Sequence, residues 1–137
     1  MSQIFVKKLV AAGKRGSIVN ISSAGSIQTA PMCSAYSSLK AGLDHLTRNM
    51  AVELAPLHIR VNAVNPGPVA TDMLCNVLEG AKKYEGHTSG RVLDRIPWPK
   101  KDVDVQDVVN TTLFLLSDAA VAMIGTIVPV DAGFIIG

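Results

Sequence analysis

Ser23, Tyr36 and Lys40 bring a hydroxyl, a phenol and an ammonium together over a short span of chain. Those groups can manage the proton of a carbonyl. Tyr36 and Lys40 are four residues apart, so on a helix they share one face. A phenol ordinarily ionises near pH ~10 and is a sluggish acid or base at neutral pH; a cation one helical turn away favours its phenolate form. On this reading Tyr36 gives a proton to a carbonyl oxygen as a hydride reaches the carbon, or takes one in the oxidative direction. Ser23 would hold the same oxygen by a hydrogen bond. A tyrosine-x-x-x-lysine match alone is common on surface helices, so its weight depends on the elements that carry it.

Ile18, Val19 and Ile21 form a short apolar run between turn signals, which predicts a strand buried on both faces of a parallel sheet. Its end delivers Ser22 and Ser23. Before it, residues 2 to 12 read as the latter part of an amphipathic helix, with Ile4, Phe5, Leu9 and Ala12 on one side, Lys7 and Lys8 on the other, and Gly13 and Gly16 ending it. After it, Leu39, Leu43, Leu46, Met50 and Leu54 recur at helical spacing from Ser34 to Ala55, and Pro56 stops the helix. Ile59 to Val64 is a second strand, broken by Asn65-Pro66-Gly67-Pro68 at the ligand-facing end of the sheet. From Thr71 to Lys101, glycines and prolines mark a loop of the kind that covers ligands, with a short helix over Asp72 to Leu78 and with His87 and Trp98 as candidate lining. Asp104 and Asp107 open a further helix whose inward stripe is Val105, Val108, Val109, Thr112, Leu113 and Leu116, closed by Ser117-Asp118. Thr126 to Val130 is a third strand, which Pro129 assigns to an edge or to the strand's end. The alternation predicts a parallel α/β sheet with right-handed crossovers, in one domain over residues 1–137.

Composition narrows the function. A chain of 137 residues with 48% hydrophobic content can bury a real core. Its 13 basic and 11 acidic residues are mixed along most of the chain, which gives no electrostatic footprint for nucleic acid; Lys82-Lys83 and Lys100-Lys101 read as solvated loop charges. Cys33 and Cys75 lack metal-ligand spacing, so neither a disulfide scaffold nor a metal site is expected, and a reducing compartment is. No apolar run spans a bilayer: the uncharged stretch from Ala119 to Val130 holds Gly125 and Pro129. No acidic residue precedes Asp44, a composition that organelle transit peptides share, but that segment already carries a helix, a strand and the candidate chemistry. A cytoplasmic rather than mitochondrial location is the expectation. A serine hydrolase would need a glycine-x-serine-x-glycine elbow, which is absent, and His45, His58 and His87 read as ordinary helix, strand-entry and loop residues. Cys33, three residues before Tyr36, could face a substrate; packing is the commoner role for such a thiol.

The strand-end serine, the tyrosine and lysine on the following helix, and Asn65-Pro66-Gly67-Pro68-Val69-Ala70-Thr71 after the next strand resemble the short-chain dehydrogenase/reductase family over essentially the whole chain. Ile59-Arg60-Val61-Asn62-Ala63-Val64, Asp107-Val108-Val109-Asn110, Leu113 to Asp118 and Val128 to Phe134 carry the same likeness. The resemblance implies a Rossmann-like, doubly wound fold, of which this chain matches the C-terminal part, the last three strands and their helices. It implies an oxidoreductase in which Ser23 orients a substrate carbonyl, Tyr36 is the acid and base, and Lys40 supports the phenolate and binds the nicotinamide ribose. Pro66, Gly67, Val69 and Thr71 would cradle the nicotinamide, with the Val69 backbone and the Thr71 hydroxyl near its carboxamide.

Within the family the likeness is strongest to reductases of dicarbonyls and of sugar ketones such as L-xylulose. That implies NADP as cofactor, with NAD not excluded, and a small carbonyl or sugar ketone held by Ser23, Tyr36 and Cys33. Gly67-Pro68-Val69 follows the general family pattern rather than that subgroup's. Relatives assemble as homo-oligomers, tetramers among them, with no membrane span and no nucleic acid. The family's glycine-rich turn for the cofactor pyrophosphate has no counterpart in this sequence, and by the family's layout Met1 falls inside a helix. The expectation is therefore about half of the family's domain, poorly active by itself. The alternative is a non-catalytic subunit or interaction module that assembles through its early helices.

Overall fold

The computed structural model describes residues 1–30, 33–72, 96–97 and 103–137. Three parallel strands form one sheet in the order β1 (Gly16–Ile21), β2 (Ile59–Pro66), β3 (Ile127–Val130). Gly16 pairs with Ile59 and Ile21 with Val64; on the other side Ala63 pairs with Ile127 and Pro66 with Val130. Central β2 is buried at Ile59, Val61, Asn62, Ala63, Val64 and Asn65, as a strand covered on both faces must be. Pro129 lies in β3, whose one described neighbour is β2, so its missing N–H removes no rung of the ladder.

Helix α1 (Ser2–Ala11) precedes β1, α2 (Ser34–Leu54) joins β1 to β2, and α3 (Val105–Leu116) leads into β3. Gly13, at φ 60°, ends α1, and the next amide, Lys14 N–H, donates back to the Leu9 carbonyl at 3.0 Å. Leu9 then lies against Gly16, where its side chain would have to shift to admit a Cβ. The Asp104 N–H donates to Asp107 Oδ2 at 3.3 Å and closes the first turn of α3, as the acidic pair predicts. Strand alternation sets the two crossover helices on opposite faces. Val19, Val64, Val128 and Val130 pack with Leu115 of α3, while Asn20 and Asn65 reach Thr47 and Asp44 of α2. No helix among the described residues is long and apolar enough to cross a membrane, and no cluster of metal-ligating side chains occurs among them.

The elements follow the sequence pattern, but several buried faces do not. In α1 no residue is buried, and Ile4 and Phe5 are exposed. In α2 the buried residues are Asp44, Thr47 and Ala51, whereas Leu39 is 76% exposed and Leu46 is exposed as well. In α3 only Leu115 is fully buried, and the expected inward residues Val105, Val109, Leu113 and Leu116 are exposed. β1 is half-buried rather than buried on both faces, because among the described residues only β2 pairs with it; Ile21 is 47% exposed. Helical spacing marks these segments as helices, yet in α2 and α3 the residues that the sheet covers are not the expected apolar line, and α1 buries none. Beyond Asp72 the short helix expected over 72–78, and the candidate lining residues His87 and Trp98, lie outside the described residues.

Candidate active site

The site is built at the C-terminal end of β1. The Ser22 N–H donates to the Val64 carbonyl at 2.8 Å, so the ladder runs one residue past the strand. Ser23 follows with extended backbone (φ −165°, ψ 149°), and its Oγ accepts the Gly25 N–H at 3.1 Å, capping a 3-10 turn over Ala24–Ser26. That acceptor bond leaves the hydroxyl hydrogen of Ser23 available to donate elsewhere. Tyr36 lies in the first turn of α2 and is 40% exposed. Gly25 sits between the two: a Cβ there would stand 3.3 Å from Ser23 Oγ and 3.5 Å from Tyr36 Cε1. The hydroxyl and the phenol ring therefore flank one glycine.

Lys40 is one turn further along α2, with Nζ 5.7 Å from the centroid of the Tyr36 ring. The same nitrogen donates to the Ile21 carbonyl at 2.9 Å, which fixes the ammonium between the strand end and the ring. An ammonium has three donors, so one such bond does not exhaust it. A further tie comes from Ser22, whose Oγ donates to the Lys40 carbonyl at 3.1 Å. Cys33 has a free thiol, occupies the N-cap position of α2 and is half-buried. Its carbonyl accepts the Ser37 N–H at 2.7 Å.

The second wall comes from the end of β2. Gly67 N–H donates to the Val130 carbonyl at 2.9 Å, and a Cβ on Gly67 would stand 2.7 Å from Asp131 Cα. The ends of β2 and β3 abut there, and only glycine allows it. Beyond it, the Pro68 carbonyl accepts the Val103 N–H at 2.9 Å, Val69 bridges Val103, and Thr71 Oγ1 donates to the Val69 carbonyl at 3.3 Å. The segment from Pro66 to Val69 is thus anchored to Val130 and Val103, and Thr71 is tied back to Val69. Asp131 accepts the N–H groups of Gly133 and Ile135 at 3.0 and 2.9 Å, and the turn it folds carries Phe134 into a cluster with Ala24 and Ile96, beside Ser23.

Replacing Gly67 by alanine is expected to destabilise the fold by about 1–3 kcal/mol, the usual cost of overpacking against a backbone that cannot yield. Gly42, in the interior of α2, would meet nothing within 4 Å of an added Cβ, and Gly42→Ala should stabilise by about 0.5–1 kcal/mol. Thermal unfolding of the two variants checks both signs; equal shifts would refute the close approach at Gly67.

The polar seam along the inner face of α2 escaped the sequence reading. Asn20 Nδ2 donates to Thr47 Oγ1 at 2.9 Å. Deeper in, Ser26 Oγ donates to Asp44 Oδ2, and Asn65 Nδ2 donates to Ser26 Oγ at 2.8 Å and to Asp44 Oδ2 at 3.0 Å. The available signal was polar residues, Asn20 and Asn65, within otherwise apolar strands. A cleft lined by Arg15, Ser17, His58, Arg60 and Asp118 lies at the opposite end of the strands from Ser23. There Arg60 donates to the carbonyls of Leu115 and Ser117, each at 2.9 Å, and so closes the C-terminus of α3.

The sequence profile of a family described as enoyl-(acyl carrier protein) reductase matches residues 1–135. L-xylulose reductase of Bos taurus is 45% identical over 135 residues, covering 98% of this chain and 53% of the relative. NADPH carbonyl reductase 2 of Sus scrofa is 42% identical over 135 residues, with 98% and 53% covered. Among solved structures, a short-chain type dehydrogenase/reductase from Mycobacterium ulcerans superposes with a TM-score of 0.80 at 35% identity, covering 95% of this chain and 45% of that one. The chain spans about half the length of the curated relatives it matches.

Proposed function

We propose that this chain, which belongs to the short-chain dehydrogenase/reductase family, carries the proton-handling apparatus of a carbonyl reduction. The supporting observation is the convergence of Ser23 and Tyr36 about Gly25, with the Lys40 ammonium held at the Ile21 carbonyl and 5.7 Å from the phenol ring. In this reading the Ser23 hydroxyl, already accepting from Gly25, donates to the substrate carbonyl oxygen and fixes its place. Tyr36 donates its phenolic proton to that oxygen as charge develops on it. Lys40 offsets the negative charge left on the phenolate.

The residues present fit the nicotinamide end of a dinucleotide. Gly67 lets the backbone after β2 lie close against Asp131, Val69 and Thr71 follow on an anchored segment, and the unspent donors of Lys40 suit a ribose diol. A nicotinamide bound there supplies the hydride. NADP rather than NAD, and a small carbonyl or sugar ketone as substrate, follow from the likeness to the bovine and porcine reductases. Cys33, at the start of α2, is assigned to the substrate side. Action in the cytoplasm, as one part of a family domain and within a homo-oligomer, completes the proposal.

Exchanging Lys40 for methionine removes a charged donor, worth about 1.5–3 kcal/mol, and should raise the KM for NADPH about 10- to 100-fold. Steady-state kinetics with varied NADPH test this. An unchanged KM would remove Lys40 from the cofactor.

A second reading, a non-catalytic subunit or interaction module, is favoured by the outer edge of β1, which no strand among the described residues pairs, and by the exposed apolar side chains Ile4, Phe5 and Val10 of α1. Titrating NADPH into the 137-residue chain, with sedimentation in parallel, separates the two. Saturable micromolar binding sinks the module; stable association without binding supports it.

A further inference from the structure

We infer that Asp44 is a positioning residue for the candidate site, the hub of a buried polar knot that holds three site-bearing segments in register. The inference deepens the function proposed above and rests on it. Asp44 is one helical turn beyond Lys40 and two beyond Tyr36 on α2, 5% exposed. Its Oδ2 accepts from Ser26 Oγ, in the turn that Ser23 caps, and from Asn65 Nδ2, immediately before Pro66-Gly67. Asn65, fully buried, spends its other amide hydrogen on Ser26 Oγ at 2.8 Å. The three side chains thus close a ring. One member stands on the helix of Tyr36 and Lys40, one on the turn of Ser23, one at the strand end that opens the nicotinamide segment.

Packing alone does not ask for this arrangement. Apolar side chains in its place would carry no desolvation cost, whereas here a carboxylate and an amide lie buried, and Asp44 Oδ1 and Asn65 Oδ1 accept no hydrogen bond from the described residues. A ring of directional bonds also fixes distance and angle where apolar contacts would let α2 slide. Sliding matters at this site, because a displacement of about 1 Å between reacting groups can cost 10²-fold in rate. The neighbouring ties, Ser22 to the Lys40 carbonyl and Lys40 to Ile21, fix the same helix to β1 alone. The knot is what adds β2.

The test uses the 137-residue chain labelled with 13C in its tyrosine rings. The sequence holds Tyr36 and Tyr84, so Tyr84→Phe assigns the Tyr36 resonance. Asp44→Ala and the milder Ser26→Ala should shift that resonance in the folded protein, and Asp44→Asn, which keeps an acceptor for both donors, should return it toward the native position. In turnover assays, Asp44→Ala should lower kcat about 10- to 100-fold, with the KM for cofactor changed less than about 3-fold and Asp44→Asn recovering most of the loss. Should Asp44→Ala fail to fold, Ser26→Ala decides. A native Tyr36 resonance in the folded variants overturns the inference, and so does a native kcat. Absence of turnover in the 137-residue chain accords with half of the family's domain acting poorly by itself, and the resonance then decides whether Asp44 positions the ring.

Discussion

Tyr36→Phe lowers kcat/KM for carbonyl reduction about 10²- to 10⁴-fold, the range that a positioned general acid supplies. The substitution deletes one oxygen and keeps the ring beside Gly25 and under the Lys40 ammonium. Because Tyr36 is 40% exposed, stability should stay within about 0.5 kcal/mol of the native value. A rate loss without a melting shift is the signature of lost proton transfer. Ser23→Ala offers no such clean contrast: Ser23 Oγ caps the turn over Ala24–Ser26, so its removal also costs about 1 kcal/mol of local stability. Rates of NADPH oxidation with a sugar ketone, set beside unfolding curves for both variants, separate chemistry from fold. Native rates in the folded phenylalanine variant would end the assignment of Tyr36 as acid.

The order of elements and the positions of Ser23, Tyr36 and Lys40 were legible in the sequence because they depend on local signals: periodicity, Gly13 and Pro56 as stops, and a polar break after each apolar run. Which face each helix turns inward was not. In α2 the apolar line Leu43, Leu46, Met50 and the buried line Asp44, Thr47, Ala51 run side by side, offset by one residue. One residue is about 100° of helical rotation. Hydrophobicity selects the first line; the sheet presents Asn20, Ser22 and Asn65 on that face, and their hydrogen bonds select the second. In α3 the offset is also one residue: Leu115 rather than the expected Leu116 enters the cluster around Val64. A single-residue offset is a tertiary decision, made by partners distant in sequence. The ring of Ser26, Asp44 and Asn65 spans 39 residues from first to last, and no local pattern announces it.

Asn62 carries the largest expected stability effect. It is fully buried in the central strand, where β-propensity and burial both argue against asparagine. Its amide explains the choice. Nδ2 donates to the Met123 carbonyl at 2.8 Å, and Oδ1 accepts the Thr126 N–H at 2.9 Å. The turn between those residues is otherwise attached to β2 by the Gly125 N–H to Val61 and the Ala63 N–H to Thr126, at 2.8 and 2.9 Å. Asn62 thus pins the approach to β3, and β3 in turn presents the Val130 carbonyl to Gly67. Asn62→Ala leaves the half-buried Met123 carbonyl and Thr126 N–H without their side-chain partner, at about 1–3 kcal/mol each, so a loss of about 2–5 kcal/mol is expected. Asn62→Asp should lose a similar amount: it keeps an acceptor for Thr126 but sets a carboxylate oxygen against the Met123 carbonyl. Urea unfolding measures the loss, and hydrogen exchange locates it. The amides from Ile127 to Val130 should exchange faster relative to those of β1 in the alanine variant. A loss below about 1 kcal/mol, or uniform exchange across the sheet, would show that β3 is held by its apolar contacts with Leu115 and Val64 instead.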